Sequence, residues 1–189
     1  MMTLILGGSG SGKSAFAENY LLRAVADKQK LDKRECRKYY IATMQIWDAE
    51  MQAMVDRHHR LRQGKGFTTM EQPVTLEKVS ETMKQPCAVL LECLSNLVAN
   101  EMFSGEQPEG RQVVMERVLQ GVEALKRQAD PFVIVTNNVF EDGITYDSST
   151  FGYIETLGRI NERLAAEADE VIEVVAGIPQ WIKKADVQK

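Results

Sequence analysis

The residues Gly7-Gly8-Ser9-Gly10-Ser11-Gly12-Lys13-Ser14 have the types and spacing of a phosphate-holding loop. They fit G-x-x-x-x-G-K-[ST] and stand between a short apolar run, Thr3–Leu6, and a segment of helical spacing, the context that the motif requires. Glycines let a backbone wrap closely around phosphate oxygens so that N–H groups point inward, and the helix that follows offers its positive end. Lys13 is expected to reach the β- and γ-phosphates of a nucleotide, and Ser14 to hold Mg2+. No glycines fall at i, i+2 and i+5, which excludes a dinucleotide fingerprint at this loop. A phosphate loop of this kind needs a second acidic group near the metal, often at the carboxyl end of a strand. Glu92, which closes the run Ala88-Val89-Leu90-Leu91, has that place; the plainer reading is a strand-end carboxylate facing solvent. No NKxD base-reading motif occurs, which weighs against a regulatory GTPase.

The two histidines of the chain, His58 and His59, are adjacent. Neighbours on a helix point about 100° apart, so they cannot share a metal in the i, i+4 manner. On a helical wheel Met51, Met54, Val55 and Leu61 form an apolar arc, with His58 near its centre and His59 toward the polar side. His58 is therefore expected to face protein, either core or cleft. The wheel alone favours a packed, satisfied histidine. A neutral imidazole can also attack a phosphoryl group and form a phosphoramidate. With an ordinary pKa of about 6.5, roughly three quarters of such a group is neutral at pH 7. Arg60 and Arg62 follow, and they either pair with phosphates or form a solvated basic helix end.

These groups need elements to position them. A chain of 189 residues with 44% apolar residues fits one compact domain with a sizeable core. The net charge of −4 argues against general nucleic-acid binding but leaves room for a local basic pocket. No apolar run approaches the roughly 20 residues that span a bilayer. The first residues lack the basic segment of a secretory signal, so the cytoplasm is the expected compartment. Cys36, Cys87 and Cys93 form no CxxC pair, and Cys87 and Cys93 are expected to flank a buried strand as small hydrophobes. Strands are predicted at Thr3–Leu6, Tyr39–Thr43, Ala88–Glu92, Phe132–Thr136 and Val171–Ala176, with an edge at Gln180–Lys183. Helices are predicted at Ser14–Ala26, from Asp48 to about Gln63 with Gly64–Gly66 as its stop, at Thr75–Met83, from Ser95, at Arg111–Gln128 and at Tyr153–Ala168. Asp27–Lys38 reads as a polar surface connection and Ser104–Gly110 as a loop. Strands alternating with helices indicate an α/β sandwich around a mostly parallel sheet.

Four stretches give the chain a resemblance to the bifunctional adenosylcobinamide kinase / adenosylcobinamide-phosphate guanylyltransferase family of cobalamin biosynthesis. They are LILGGSGSGKSAFAE, YIATMQIWDAEMQAMVDRHHRLR, VLLECLSNLVAN and GRINERLAAEADEVIEVVAGIP, and together they span nearly the whole chain. The resemblance implies a RecA-like P-loop fold, a three-layer sandwich around a mostly parallel sheet. It implies a homotrimer with active sites near subunit boundaries. It also implies two reactions. ATP or GTP phosphorylates the aminopropanol hydroxyl of adenosylcobinamide. GTP then gives GMP to a histidine, from which the cobinamide phosphate takes it to become adenosylcobinamide-GDP. The guanylylated histidine of the family falls on His58. The nucleotide contacts fall on Gly7, Gly8, Ser9, Gly10, Ser11, Gly12, Lys13 and Ser14, on Thr43, Met44 and Gln45, on His59, Arg60, Leu61 and Arg62, on Glu71 and on Glu92.

There are departures from the pattern. Gly10 stands where the family usually has Arg, and Asn137-Asn138-Val139-Phe140 stands where it has N-E-V-G. Glu71 reads a base, a ribose or nothing. Two other functions are compatible with the loop alone: a plain small-molecule kinase that moves only a γ-phosphate, and a nucleotide-binding module without turnover.

Overall fold

A computed structural model of the chain describes residues 1–33, 35–45, 52, 56, 60, 62–139 and 146–185. The chain opens with β1 (Met2–Gly7), an almost wholly buried strand that ends in glycine. Helix α1 (Lys13–Asp32) starts after Gly12, whose φ of 87° only glycine adopts freely, and ends at Lys33 in the left-handed region. It runs past the predicted end at Ala26. The segment Asp27–Asp32 has no apolar stripe to announce a helix, yet it holds Lys, Gln and Leu, which carry little helical penalty.

Strand β2 (Arg37–Ala42) follows, then β3 (Phe67–Glu71). No strand is predicted at 67–71, because FTTME has no apolar run; as an edge strand only partly covered, it needs none. Of the predicted helix Asp48–Gln63, Gln52, Asp56, Arg60 and Arg62 are helical and nearly all the rest lies outside the described residues. Helix α2 (Glu77–Ser80) is one turn, not the predicted Thr75–Met83. Thr75 has φ 57°, and its N–H donates to the Glu101 carboxylate at 2.5 Å, so the chain is committed to a loop there.

Next come β4 (Cys87–Glu92), α3 (Leu94–Phe103), α4 (Arg111–Lys126), β5 (Ala129–Asn137), α5 (Ser148–Glu167), β6 (Glu170–Val175) and β7 (Ile178–Lys183). Helix α5 begins five residues before the predicted Tyr153. Asp147 caps it, its carboxylate accepting from the N–H groups of Ser149 and Thr150, and the polar first turn hides the start from an apolar-spacing reading.

The seven strands form one sheet in the order β3-β2-β4-β5-β1-β6-β7, parallel throughout except for antiparallel β7. Each buried strand divides its residues between two cores, as the two-residue repeat demands. Met2, Leu4, Val89, Leu91, Phe132 and Ile134 pack beneath α3, α4 and α5. Ile5, Ala88, Leu90, Val133 and Val135 pack beneath α1 through Ala17, Leu21 and Val25. The three cysteines are free and buried. Among the described residues no helix is long and apolar enough to cross a membrane.

The helices that follow the neighbouring strands β1 and β5 thus lie on opposite faces. The carboxyl ends of β1 and β5 form the point where the chain switches direction across the sheet, which in open α/β sheets opens a crevice.

Candidate active site

Strand β1 delivers the glycine loop to the carboxyl edge of the sheet. At Gly7 a side chain has no room: a Cβ would lie 2.5 Å from the carbonyl oxygen of Val174 and 2.7 Å from Ser11 Oγ. The loop folds on itself through Ser11 N–H to Gly8 O at 3.2 Å. The turn after β6 supports it from outside, where Gly177 N–H donates to Ser11 O at 2.8 Å. Lys13 is buried, and its Nζ donates to Gly8 O at 3.1 Å, so the ammonium lies across the loop. Ser14 Oγ donates to Glu92 Oε1 at 2.7 Å, joining the start of α1 to the end of β4.

Glu92 retains some exposure as a residue, but its Oε2 is sealed from solvent and has no partner. Burial pushes its carboxyl from the usual 4.5 up to about 7, and the Glu18 carboxylate adds to the rise. The Ser14 hydroxyl, the Lys13 ammonium and the Arg62 guanidinium all act in the opposite direction. A hydroxyl and a carboxylate with one spare oxygen are hard donors of the kind Mg2+ takes alongside nucleotide phosphates. Among the described residues no group of three or more His, Cys, Asp or Glu is placed to hold a metal ion, so a metal at Ser14 and Glu92 would draw further oxygens from phosphate and water.

The register carries other predicted residues to the same edge. Ala42 pairs with Glu92 on one side and Glu71 on the other, so the two carboxyl-bearing residues stand level, two strands apart. Thr43 is fully buried and ties these strand ends together. Its Oγ1 donates to Cys93 O at 2.7 Å and accepts from Cys93 N–H at 2.8 Å, while Asn100 holds its carbonyl at 2.7 Å. The Thr43 hydroxyl is therefore engaged within the fold. Met44 and Gln45 continue the edge, partly exposed, and Arg60 is exposed.

Arg62 is buried with its guanidinium carbon 3.6 Å from the centre of the Tyr40 ring, a cation–π stack. Its Nε and Nη1 have no hydrogen-bond partner. Three residues that sequence reasoning missed join this neighbourhood in the fold: Tyr40, which carries Arg62, and buried Glu18 with Lys65, an ion pair at 2.5 Å. The available signal was the spacing of Glu18, four residues after Ser14 on α1 and so on one helix face. His58, His59 and Leu61 lie outside the described residues. At the end of β5, Asn137 Nδ2 donates to Ser95 Oγ at 2.8 Å, and Asn138 N–H donates to Gly7 O at 3.0 Å. Asn138, the position that departs from the family pattern, thus adjoins the loop; Phe140 lies outside the described residues.

In shape the chain is similar to a solved ATPase domain, with a TM-score of 0.51 at 9% identity, over 91% of this chain and 68% of that one; the likeness concerns the fold. In sequence it is 33% identical to the bifunctional adenosylcobalamin biosynthesis protein CobU of Salmonella typhimurium, over 97% of this chain and the whole of that protein. It is 32% identical to CobU of Escherichia coli over the same shares. It is 28% identical to the bifunctional protein CobP of Pseudomonas aeruginosa, over 97% of this chain and 98% of that one. The family model described as cobinamide kinase / cobinamide phosphate guanyltransferase matches residues 3–182, and the chain belongs to that family.

Proposed function

We propose that the protein phosphorylates adenosylcobinamide and then guanylylates the product. In the first reaction the aminopropanol hydroxyl oxygen bonds to the γ-phosphorus of ATP or GTP. The bond from that phosphorus to the bridging oxygen breaks, the nucleoside diphosphate leaves, and the hydroxyl proton passes to solvent. In the second, a ring nitrogen of His58 bonds to the α-phosphorus of GTP and pyrophosphate leaves. A phosphate oxygen of the cobinamide phosphate then displaces the histidine, giving adenosylcobinamide-GDP.

The observation that carries this reading is the Ser14–Glu92 contact of 2.7 Å beneath the glycine loop, in a chain matched to the family over 3–182. The loop amides and Lys13 supply fixed positive charge where the transferring phosphates sit, which lowers the barrier by positioning and electrostatics. Ser14 and Glu92 are the residues that would hold Mg2+, which when bound neutralises phosphate charge. Arg62, stacked on Tyr40 with two buried N–H groups unpartnered, brings a positive charge and unused donors to this edge, which supports an anion site there. The roles of Thr43–Gln45, His59, Arg60, Leu61 and Glu71 as nucleotide contacts rest on the family resemblance, as do the homotrimer and the cytoplasmic location.

The test uses purified protein, Mg2+ and GTP labelled at either the α- or the γ-phosphate. An acid-labile, base-stable α-label on the denatured chain, lost in His58→Ala and kept in His59→Ala, is the expected result. Full guanylyl transfer by His58→Ala would overturn the assignment of the nucleophile. Tight GTP binding with no covalent label would favour a plain kinase.

A further inference from the structure

A cavity of about 550 Å3 opens at the switch point between β1 and β5. Gly8 and Ser9 of the phosphate loop form one side, and Asn138 and Val139, beyond β5, form the next. The first turns of α5 close it with Thr150, Tyr153 and Ile154, and Tyr146 completes the wall. The volume is in the range of sites that hold a drug-sized group.

Its chemistry differs from that of the loop it adjoins. Among the described residues the lining holds no Lys, Arg, Asp or Glu. The N-terminus of α5 does not offer positive charge to an anion there, because the Asp147 carboxylate accepts from the N–H groups of Ser149 and Thr150. Tyr153 donates to Ser95 O at 3.3 Å, and burial pushes its pKa up to about 12, so it presents a neutral phenol near neutral pH. Beyond Gly8 and Ser9 of the loop itself, the described lining offers a triphosphate no cationic group. A neutral organic group with apolar surface and a few amides fits it, and one end of that group would abut the glycine loop.

We propose that this cavity seats the amide-bearing arm of the acceptor, with its alcohol end directed at Gly8 and Ser9. The assignment rests on the cobinamide reading of the function. The corrin ring is too large for the cavity and would lie outside its mouth, so the cavity selects the arm. Val139 and Ile154 are then specificity-determining side chains that touch the acceptor and not the nucleotide.

The test is equilibrium binding of cobinamide, followed by its visible absorption, together with GDP binding, for the wild type, Val139→Trp and Ile154→Trp. Ile154→Glu, which places a charge in the neutral wall, is the variant to use if neither bulky replacement keeps the wild-type melting curve. The expected result is a rise in the cobinamide Kd of about tenfold or more, equivalent to about 1.4 kcal/mol, with the GDP Kd unchanged. Wild-type cobinamide affinity in the filled variants would overturn the site and leave the cobinamide reading intact. A parallel loss of GDP affinity would make the cavity part of the nucleotide site and overturn the proposal. A wild-type protein that neither binds nor modifies cobinamide would overturn the functional reading itself and this site with it.

Discussion

Replacing Glu92 by Gln removes one charge while nearly preserving the shape of the side chain. Ser14 Oγ can still donate to the remaining carbonyl oxygen, so the 2.7 Å contact need not be lost. What changes is the burial of a carboxylate whose Oε2 has no partner. The folded protein holds that group at about 7, against 4.5 in an exposed chain. Between these values the folded state binds more protons than the unfolded state, so stability falls as pH rises. The stabilisation is complete below about 4.5 and is lost by about pH 8. A separation from 4.5 to about 7 corresponds to about 3 kcal/mol, an upper figure for one buried group. Glu92→Gln does not titrate, so it is expected to equal the wild type near pH 4.5 and to exceed it by up to about 3 kcal/mol at pH 8. Urea unfolding without nucleotide or Mg2+, at pH 5, 7 and 8.5, measures the gap. With Mg2+ and GTP present, the same variant is expected to lose nucleotide affinity and turnover, because the charge that destabilises the free protein is the one that would hold the metal in the proposed function. A gap that does not change with pH, or a variant less stable than wild type at pH 8.5, would refute the reasoning.

Other outcomes follow from the same geometry. Lys13→Met removes the ammonium that lies over the loop at Gly8 O and is expected to lower kcat about a hundredfold or more while leaving the melting temperature nearly unchanged. Gly7→Ala forces a Cβ to 2.5 Å from Val174 O, so it is expected to lower nucleotide affinity and stability together, read by calorimetry and thermal melting. Gly121→Ala is the matched contrast: its Cβ would meet Leu76 Cβ at 2.6 Å on the far face, costing about 1–3 kcal/mol in urea unfolding without changing the nucleotide Kd of the folded fraction. Tyr40→Leu removes the ring under Arg62 and is expected to raise the KM for GTP, whereas Tyr40→Phe, which keeps the ring, should restore it.

The loop and its partner carboxylate were legible because both depend on local pattern. Glycine spacing, a short apolar strand and a following helix define Gly7–Ser14, and an apolar run ending in an acid defines Glu92. The parallel core was legible for the same reason, since strands buried on both faces read as near-continuous apolar segments. Elements without an apolar signal were not. The polar end of α1, the edge strand β3 and the capped first turn of α5 are fixed by helix propensity, sheet pairing and Asp147, none of which leaves an apolar period. The Arg62–Tyr40 stack and the Glu18–Lys65 pair join residues 22 and 47 positions apart, and one sequence alone holds no record of such contacts. The cavity at the switch point also depends on strand order, which hydrophobic spacing does not determine.

The polar atoms left unpartnered within the fold make a further connection. Among the described residues, buried side-chain atoms without a hydrogen bond occur on Ser11, Arg62, Glu77 and Glu92. Nothing in the structure explains the one on Glu77, at the start of α2. The other three stand at the phosphate loop or close enough to influence its acidic partner. An unsatisfied buried group costs about 1–3 kcal/mol, and a buried charge more. Folding alone would eliminate such groups, and it has done so in nearly all of the remaining described core. Their concentration here fits the proposed function, in which a bound anion and metal would relieve the instability. Arg62 carries unused donors and Glu92 an unused acceptor, so a phosphate would satisfy the first and its cation the second once the side chains that seal these atoms move to admit them. A ligand that binds only the folded state stabilises it by RT ln(1 + [L]/Kd), about 2.7 kcal/mol at a hundredfold excess over Kd. Mg-GTP is therefore expected to raise the melting temperature of the wild type, and the rise should shrink in Glu92→Gln even though that variant starts out the more stable protein. An equal rise in both proteins would separate Glu92 from the ligand and return it to the role of an ordinary buried acid.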